Sequence, residues 1–468
     1  MKVFKFLLLF LLLSSLLYGQ EISGTWSGIL RFSGAQLRLN FNVTPSSNGY
    51  TATMDSPDQG ATGIVVTTTT FQDSIVKFEV AGAGISYEGK LSSGDSIPGT
   101  FRQGGHEIPL TLSRSNGEIA KPLRPQEPVK PYPYYAEDVH FVNKKGNFAL
   151  AGTLTMPART GVFPAVILIT GSGPQNRDEE ILSHKPFLVI ADYLTRHGIA
   201  VLRYDDRGTY ESKGDFSAAT SMDFSTDAEA ALDFLLTRKE IDKHKIGLIG
   251  HSEGGMIAPM VAVRRSEVGF IVLLAGPGIS GEQILLLQQG LIEKASGESE
   301  DAIRDVTVNN KGAYDLVAAS QNLDTLKTRL AMYYTDRLKV DAVFARNAGA
   351  DKGNFISAQV QQLATPWMQY FIQFDPAPTL EKVKCPVLAL DGSKDLQVPP
   401  EIDLTAIKTA LEKGGNKEVT TVEFPNLNHL FQECKTGSPS EYGRIEQTFS
   451  PVALDEMTKW IISTVKNR

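Results

Sequence analysis

A strand-like run that leads directly into a glycine-flanked serine is the feature that most restricts the fold of this chain. Lys245 to Ile249 have the pattern of a buried strand, Gly250-x-Ser252-x-Gly254 follows, and the next residues are helical in character. A serine in a sharp strand-to-helix turn needs small neighbours, because side chains there would crowd the turn. The segment therefore predicts a strand–turn–helix unit of an α/β fold that displays the Ser252 hydroxyl.

The alternation of strands and helices from about residue 136 onward predicts the rest of this sheet. The runs 165–169 and 271–274 are continuously apolar, as in strands that are buried on both faces. The strand candidates are 138–144, 149–155, 164–170, 199–204, 245–250, 269–275, 386–391 and 418–424. We therefore expect a mostly parallel sheet with helices on both faces over 136–468, and a helical cap formed by the helix-rich insertion at about 281–380.

The residues before this region have a different pattern. Within 20–114, apolar and polar residues alternate in stretches such as 36–43, and glycine- and serine-rich turns separate the stretches. A period of two indicates half-buried strands, so about eight short antiparallel strands predict a small all-β barrel or sandwich. Residues 115–135 contain prolines at every third position from Pro122 and predict a linker between the two domains.

The first 19 residues have the pattern of a secretory signal peptide. Lys2 and Lys5 precede an apolar run over 6–13, and the small residue Gly19 stands at the expected cleavage site. The apolar run is shorter than the ~20 residues that a membrane-spanning helix needs. We expect an exported protein, periplasmic or extracellular, without a membrane span after cleavage.

Composition excludes several classes of partner and cofactor. The net charge is -7 and no block of Lys and Arg stands out, which speaks against nucleic acid as a partner. There is no metal-binding H-E-x-x-H or C-x-x-C and no P-loop, so no metal or cofactor is expected. Residues 276–281 do match G-x-G-x-x-G, but helix-rich sequence follows where a second strand is required. Cys385 and Cys434 are assigned to opposite edges of the sheet and are predicted to be free thiols.

One histidine has the position that a base for Ser252 requires. The seven histidines are His106, His140, His184, His197, His244, His251 and His429. Only His429 follows a late strand in a loop, where its ring can reach the carboxyl edge of the sheet. Asp395 follows the preceding strand and is the expected partner of His429, whereas its rival Asp391 still lies within the strand. The order Ser252, Asp395, His429 is that of α/β hydrolases.

An oxyanion hole needs two backbone donors. The N–H of Glu253 follows the nucleophile at the start of the helix, where it can point at a developing oxyanion. The glycine-rich loop after strand 164–170 supplies the second donor, from Ser172 or Gly173.

Two further groups of side chains have two interpretations each. Trp367, Tyr370, Phe371 and Phe374 form a helical stripe that either packs the cap on the body or lines an acyl pocket. Arg203 and Arg207 flank a loop after a central strand. They either fix this loop by ion pairing or bind an anionic substrate, and ion pairing is the favoured interpretation.

Four segments of the chain resemble bacterial α/β-hydrolases of the dienelactone-hydrolase and serine-aminopeptidase-like group. They are Gly171-Ser172-Gly173-Pro174-Gln175, Arg203-Tyr204-Asp205-Asp206-Arg207-Gly208, Gly250-His251-Ser252-Glu253-Gly254-Gly255 and Cys385-Pro386-Val387-Leu388-Ala389-Leu390-Asp391-Gly392. With its N-terminal β domain the chain is similar to a subset of exported carboxylesterases. The resemblance implies hydrolysis of a small acyl ester through an acyl-enzyme, without a metal.

Three functional hypotheses remain open on the sequence. The first is a carboxylesterase. The second is a serine aminopeptidase-type peptidase, which would need carboxylates in the cap to bind an amine. The acidic residues of the cap, Glu293, Glu298, Glu300, Asp301 and Asp305, instead have the pattern of a solvated helix face. The third is a ligand-binding protein in which the β domain captures the ligand and the hydrolase body is inert.

Overall fold

A computed structural model of the chain describes residues 21–32, 35–47, 49–57, 61–92, 95–103, 106–115, 123–348 and 351–467. Within this part the chain forms two sheets, one before the proline-rich segment and one after it. The predicted signal peptide over 1–19 lies outside the described residues.

The bounds of the elements follow in chain order. The strands of the first sheet are β1 (Gly24–Phe32), β2 (Ala35–Ser46), β3 (Gly49–Ser56), β4 (Ala61–Val66), β5 (Thr68–Gln72), β6 (Ile75–Val80), β7 (Ile85–Lys90), β8 (Ser96–Gln103) and β9 (His106–Ser115). The strands of the second sheet are β10 (Tyr135–Asn143), β11 (Phe148–Met156), β12 (Phe163–Ile169), β13 (Ala200–Tyr204), β14 (Ile241–His251), β15 (Val268–Leu274), β16 (Val387–Gly392) and β17 (Val419–Phe424). The helices are α1 (Pro186–Arg196), α2 (Ser221–Thr237), α3 (Glu253–Ala262), α4 (Gly281–Ala295), α5 (Glu300–Ala318), α6 (Leu323–Val340), α7 (Ala342–Asn347), α8 (Lys352–Leu363), α9 (Pro366–Gln373), α10 (Ala377–Leu380), α11 (Pro400–Lys413), α12 (Pro439–Tyr442) and α13 (Pro451–Lys466).

The N-terminal sheet is antiparallel and has the strand order β4-β3-β2-β1-β9-β8-β7-β6-β5. Its outer strands β4 and β5 are two halves of one bent segment, separated only by Thr67. β4 pairs with β3 and β5 pairs with β6, so the bend draws the two ends of the sheet together into a barrel-like closure. At the bend the Thr67 N–H donates to Glu79 O at 2.7 Å.

Aromatic side chains fill the interior of the barrel. Along β2, the alternation predicted from sequence buries Leu39, Phe41 and Val43. The ring of Phe41 stacks on that of Phe78 with centroids 4.5 Å apart, and Tyr87 stacks on both. These large buried rings supply most of the apolar area that stabilises so small a domain.

The second sheet confirms the predicted α/β-hydrolase architecture. Its strand order is β10-β11-β13-β12-β14-β15-β16-β17. The last six strands in this order, β13, β12, β14, β15, β16 and β17, pair in parallel. Alternate residues of β12 contribute to apolar cores on opposite faces: Ile167 packs with α2 and α3, whereas Leu168 packs with α1 and α13. Burial on both faces explains why the central strands are continuously apolar.

The helices α4 to α10 form the predicted cap. They lie between β15 and β16, after the carboxyl end of β15, and have an apolar core of their own around Leu326, Leu330 and Tyr334. In the described part of the chain, no helix combines the length and the apolar character needed to cross a bilayer.

Arg124 attaches the linker to the hydrolase domain by hydrogen bonds. The Arg124 guanidinium donates to four backbone carbonyls at 3.0–3.1 Å. The acceptors are Leu182, Ser183, Gly443 and Ile445. The first two belong to the loop after β12 and the last two to the loop after β17, so one side chain ties these loops to each other. The barrel adds a contact to the same region, from Arg38 Nη2 to Ser183 Oγ at 3.3 Å.

Candidate active site

Ser252 stands at the turn from β14 to α3 in a strained backbone conformation. Its φ is 52° and its ψ is -117°, which is a region that non-glycine residues rarely adopt. A Cβ at position 250 would lie 2.0 Å from Gly254 O, and one at position 254 would lie 2.2 Å from Ile169 O. Both glycines are therefore required by close backbone approach, and Ser252 remains partly exposed while its two neighbours are buried.

His429 and Asp395 are hydrogen-bonded to each other. Nδ1 of His429 lies 2.6 Å from Oδ2 of Asp395, and both side chains are buried. The other carboxylate oxygen of Asp395 accepts the backbone N–H groups of Gln397 and Val398, at 2.7 and 2.9 Å. These two donors fix the orientation of the Asp395 carboxyl group. Nδ1 of His429 carries its proton toward Asp395, which leaves Nε2 free to act as a base.

Asp391, the rival from the sequence, lies behind this pair. Its carboxyl is buried at the end of β16 and contacts the carboxyl of Asp395. Burial raises the pKa of Asp391 well above its usual range, and the charge of Asp395 raises it further. Burial and this charge therefore favour the neutral form of Asp391. Its Oδ1 accepts the Gly392 N–H at 2.7 Å, and its Oδ2 has no hydrogen-bond partner among the described residues.

The loop of His429 also contacts the elbow. Nε2 of His251, the residue before Ser252, lies 3.0 Å from His429 O, and the two imidazole rings have centroids 4.9 Å apart. Nδ1 of His251 lies 3.0 Å from Oε1 of Glu179. The sequence indicated no role for either His251 or Glu179 in the site.

The glycine-rich loop after β12 approaches the nucleophile closely. A Cβ at Gly171 would lie 3.2 Å from the Ser252 Cβ. The side chain of Ser172 bonds to the carboxyl of Glu253, and Gly173 has a φ of 95°, which a glycine adopts without strain. The structure thus brings Ser172, Gly173 and Glu253, all proposed from sequence as oxyanion-hole residues, to the immediate surroundings of Ser252.

The cap contacts the elbow through Trp367. Oε1 of Glu253 accepts hydrogen bonds from Trp367 Nε1 at 2.8 Å and from Ser221 Oγ at 2.6 Å, and burial raises the pKa of Glu253. Phe371, one turn after Trp367, packs against Met256 of α3. The aromatic stripe thus packs the cap on the body, as one interpretation predicted, and it does so next to the nucleophile.

The arginines near the site form ion pairs. Arg203 pairs with Asp178, and Arg207 Nε lies 2.7 Å from Asp227 Oδ2. The favoured interpretation of loop fixing is confirmed for both, since each guanidinium is buried and forms an ion pair with a carboxylate from another part of the chain. Neither Cys385 nor Cys434 forms a disulfide in the described part of the chain, as predicted.

The acidic residues of the cap do not converge on the site. Glu298, Glu300 and Asp301 are exposed, and the last two pair with neighbouring Lys and Arg side chains. Among the described residues, no group of three or more His, Cys, Asp and Glu side chains is placed to hold a metal ion.

The strand order and the elbow after β14 define the class of the protein. A mostly parallel sheet that carries a strained serine turn, with an aspartate after its second-last strand and a hydrogen-bonded histidine after its last strand, is the arrangement of the α/β-hydrolase superfamily. Residues 145–405, more than half of the chain, match the family model described as X-Pro dipeptidyl-peptidase (S15 family). The chain belongs to this family.

Similar proteins include several esterases. Esterase EstD of Thermotoga maritima is 28% identical over 320 residues, which span 67% of this chain and 65% of the relative. The match thus spans just under two thirds of that relative's length. The Pyrococcus furiosus esterase Pf2001 is 14% identical over 75% of this chain and 98% of its own, with a TM-score of 0.43. The hypothetical protein PA2218 of Pseudomonas aeruginosa has the same identity and coverage with a TM-score of 0.45.

Proposed function

We propose that the protein is a serine carboxylesterase with Ser252 as nucleophile, His429 as general base and Asp395 as the group that orients His429. The single observation that carries the proposal is the buried hydrogen bond of 2.6 Å between His429 and Asp395, next to a serine in a strained elbow. Strain at a non-glycine residue persists where the structure compensates for it, and such residues cluster at active sites. The name of the Thermotoga maritima relative, an esterase, supports the same reaction.

The proposed reaction has two acyl-transfer steps. Oγ of Ser252 attacks the ester carbonyl carbon while Nε2 of His429 takes the hydroxyl proton. The oxyanion is held by the backbone N–H of Glu253 and by that of Ser172 or Gly173. Collapse breaks the ester bond, and the alkoxide leaves with the proton from His429. A water molecule, deprotonated by His429, then attacks the acyl-enzyme and releases the carboxylic acid and Ser252.

Esterase activity is tested with p-nitrophenyl acetate, for the wild type and for Ser252→Ala. We expect the wild type to turn over the ester and Ser252→Ala to lose ~10³-fold or more in kcat. Turnover that survives in Ser252→Ala would show that another group is the nucleophile. The pH profile of kcat/KM should have an acid limb, because His429 must be neutral to act as a base.

A peptidase is the second candidate, and the description of the matching family favours it. A dipeptidyl-peptidase must bind the amino terminus of its substrate, and the exposed acids of the cap are not placed for that. The comparison is made with Xaa-Pro p-nitroanilides and aminoacyl p-nitroanilides under the same conditions. If the anilides are cleaved and p-nitrophenyl acetate is not, the peptidase replaces the esterase.

The third candidate, an inert body with a ligand-binding barrel, has little support. The described interior of the barrel is occupied by its own aromatic rings, such as Phe41, Phe78 and Tyr87.

We further propose export to the periplasm or the medium, from the basic and apolar pattern of residues 1–19. Cell fractionation and amino-terminal sequencing of the mature protein test this, and a cytoplasmic protein that retains Lys2 would contradict it.

A further inference from the structure

Glu179 and His251 form a buried pair that takes no part in the proposed acyl transfer. Oε1 of Glu179 accepts the Gly171 N–H at 2.7 Å and lies 3.0 Å from Nδ1 of His251. Nε2 of His251 lies 3.0 Å from His429 O. One pair of side chains thus connects three parts of the site. They are the loop after β12 (170–185), here called the oxyanion loop, the nucleophile elbow at Ser252, and the loop that carries His429.

The hydrogen-bond partners of His251 determine its charge. A carbonyl oxygen only accepts, so Nε2 must carry a proton toward His429 O. Oε1 of Glu179 already accepts from Gly171, so a second ring proton on Nδ1 satisfies the remaining contact. Burial lowers the pKa of His251, but the charge of Glu179, its hydrogen bond, the His429 carbonyl and the charge of Asp395 together outweigh burial and raise this pKa above its ordinary value.

The chain contains a second buried histidine that serves as a comparison. The ring nitrogens of His184 contact Thr448 Oγ1 at 3.0 Å and Tyr442 O at 2.9 Å, and neither partner is a carboxylate. Burial lowers the pKa of His184 to about 4, so its ring is neutral at pH 7. The difference between the two histidines is the partner Glu179.

The backbone of the oxyanion loop needs such a fastening. Glu179, Leu182 and Ser183 have φ values of 51°, 51° and 64°. A non-glycine residue in such a sparsely populated conformation is strained and persists only where the surroundings hold it. The contacts of Glu179 to Gly171 and His251 hold the part of this loop that reaches Ser252.

We propose that Glu179 and His251 form a carboxylate–imidazolium pair that positions the oxyanion loop and the loop of His429 against Ser252. Glu179 holds the first loop through the Gly171 N–H, and His251 holds the second through His429 O. This inference rests on the proposed function, because both residues act through Ser252 and His429. The charged and titratable groups that face His251 are Glu179, His429 and Asp395.

The charge of the pair is measured directly by NMR of the full chain with ¹⁵N-labelled histidine at pH 7.5. We expect two protonated ring nitrogens for one buried histidine, whose signals vanish in His251→Asn, and a neutral ring for His184. The measurement needs no substrate, so it stands even if the protein is not an esterase. A neutral His251 ring at pH 7.5 would overturn the proposal.

The positioning role is measured with two variants that each remove one contact of His251. The amide nitrogen of His251→Asn replaces Nδ1 and keeps the contact to Glu179, whereas that of His251→Gln replaces Nε2 and keeps the contact to His429 O. Glu179→Gln removes the charge at nearly constant shape. The readouts are the rate at which a fluorophosphonate labels Ser252, and the pH profile of kcat/KM for p-nitrophenyl acetate.

We expect each variant to slow labelling and kcat by ~10- to 100-fold with KM changed far less, because misplaced catalytic groups lose rate rather than binding. In His251→Asn the acid limb should move to higher pH, since a cation next to His429 is gone. His197→Asn, at an exposed histidine, is the control and should leave both readouts unchanged. Wild-type labelling rates with an unshifted acid limb in His251→Asn and Glu179→Gln would overturn the inference. If the fluorophosphonate labels the wild type but the wild type does not turn over p-nitrophenyl acetate, the proposed function fails. The labelling rates of the variants then still test the positioning role of Glu179 and His251.

Discussion

Three aspartate carboxyl groups lie buried close to one another behind His429, and they differ in their hydrogen-bond donors. Asp395 accepts two backbone N–H groups and the ring of His429. Burial and the charge of Asp395 raise the pKa of Asp391 and favour its neutral form. For Asp403, one oxygen accepts the Gly278 N–H at 2.6 Å, and the other has no hydrogen-bond partner among the described residues. Burial raises the pKa of Asp403 to about 7.

Asp403→Asn should stabilise the protein in a pH-dependent way. The unfolded carboxyl ionises near pH 4 and the folded one near pH 7, so wild-type stability falls as the pH rises through this window. Asparagine does not ionise, so the gain in free energy of unfolding should grow from pH 4 to 7, to at most about 4 kcal/mol. Urea unfolding over pH 4–8 measures it. Asp336→Asn, at an exposed carboxylate, is the control, and a gain for Asp403→Asn that is equal at pH 4 and 8 would contradict the expectation.

The role of a side chain was predictable from the sequence where its position relative to a strand restricts what it can reach. The position of Asp395 in a loop after its strand favoured it over Asp391, and the structure places Asp395 against His429. The protonated state of Asp391 was not predictable, because it depends on packing against a carboxylate that the sequence places four residues away. Glu179 offered only a weak signal, an acidic residue in the glycine-rich loop after β12, since its partner His251 is remote in sequence.

At the scale of elements, an indole side chain of the cap is hydrogen-bonded to the elbow. Trp367 at the start of α9 donates to the buried carboxyl of Glu253 at the start of α3, and its ring stacks on Phe371 with centroids 5.0 Å apart. The strand–turn–helix unit around Ser252 was predictable because steric demands on Gly250 and Gly254 are local. The hydrogen-bond partner of Trp367 was not predictable from the sequence. The periodicity of a helix shows which of its faces is apolar, but it does not show which residues this face contacts.

Trp367→Phe should loosen the cap while it keeps an aromatic ring against Phe371. The buried carboxyl of Glu253 loses one of its donors, which we expect to cost ~1–3 kcal/mol of stability and to lower kcat/KM. Thermal unfolding and ester kinetics measure the two effects. Tyr370→Phe removes a polar group from the same helix and serves as the control. If the two variants are equally stable and active, the indole does not hold the cap.

At the scale of the whole molecule, the barrel and the hydrolase domain meet at the loops that carry the site. Arg124 of the linker bonds four carbonyls of two such loops, and Arg38 of the barrel bonds Ser183 in one of them. Both domains were predictable from the change of periodicity near residue 136. The closure of the barrel and the attachment of the linker were not, because they depend on the bend at Thr67 and on backbone carbonyls, which carry no sequence signal.

Arg124→Ala should impair the active site from outside it. Four carbonyls lose their donor, and the loops after β12 and β17 are no longer joined. We expect a lower melting temperature, a ~10-fold fall in kcat and faster hydrogen exchange in both loops. Arg124→Lys should restore little, because an ammonium lacks the planar set of donors. Arg102→Ala removes an exposed pair with Glu107 and is the matched control; exchange rates as slow in Arg124→Ala as in this control would refute the role.

The parts of the proposed site stand at the carboxyl ends of four parallel strands of one sheet, β12, β14, β16 and β17, which are far apart along the chain. No fragment that lacks one of these strands can align Ser252, His429 and Asp395. Reactivation after dilution from denaturant should therefore lag behind the recovery of helical signal and coincide with the last long-range strand pairing. The extent to which a fluorophosphonate labels Ser252 during refolding therefore reports the fraction of molecules that have completed folding.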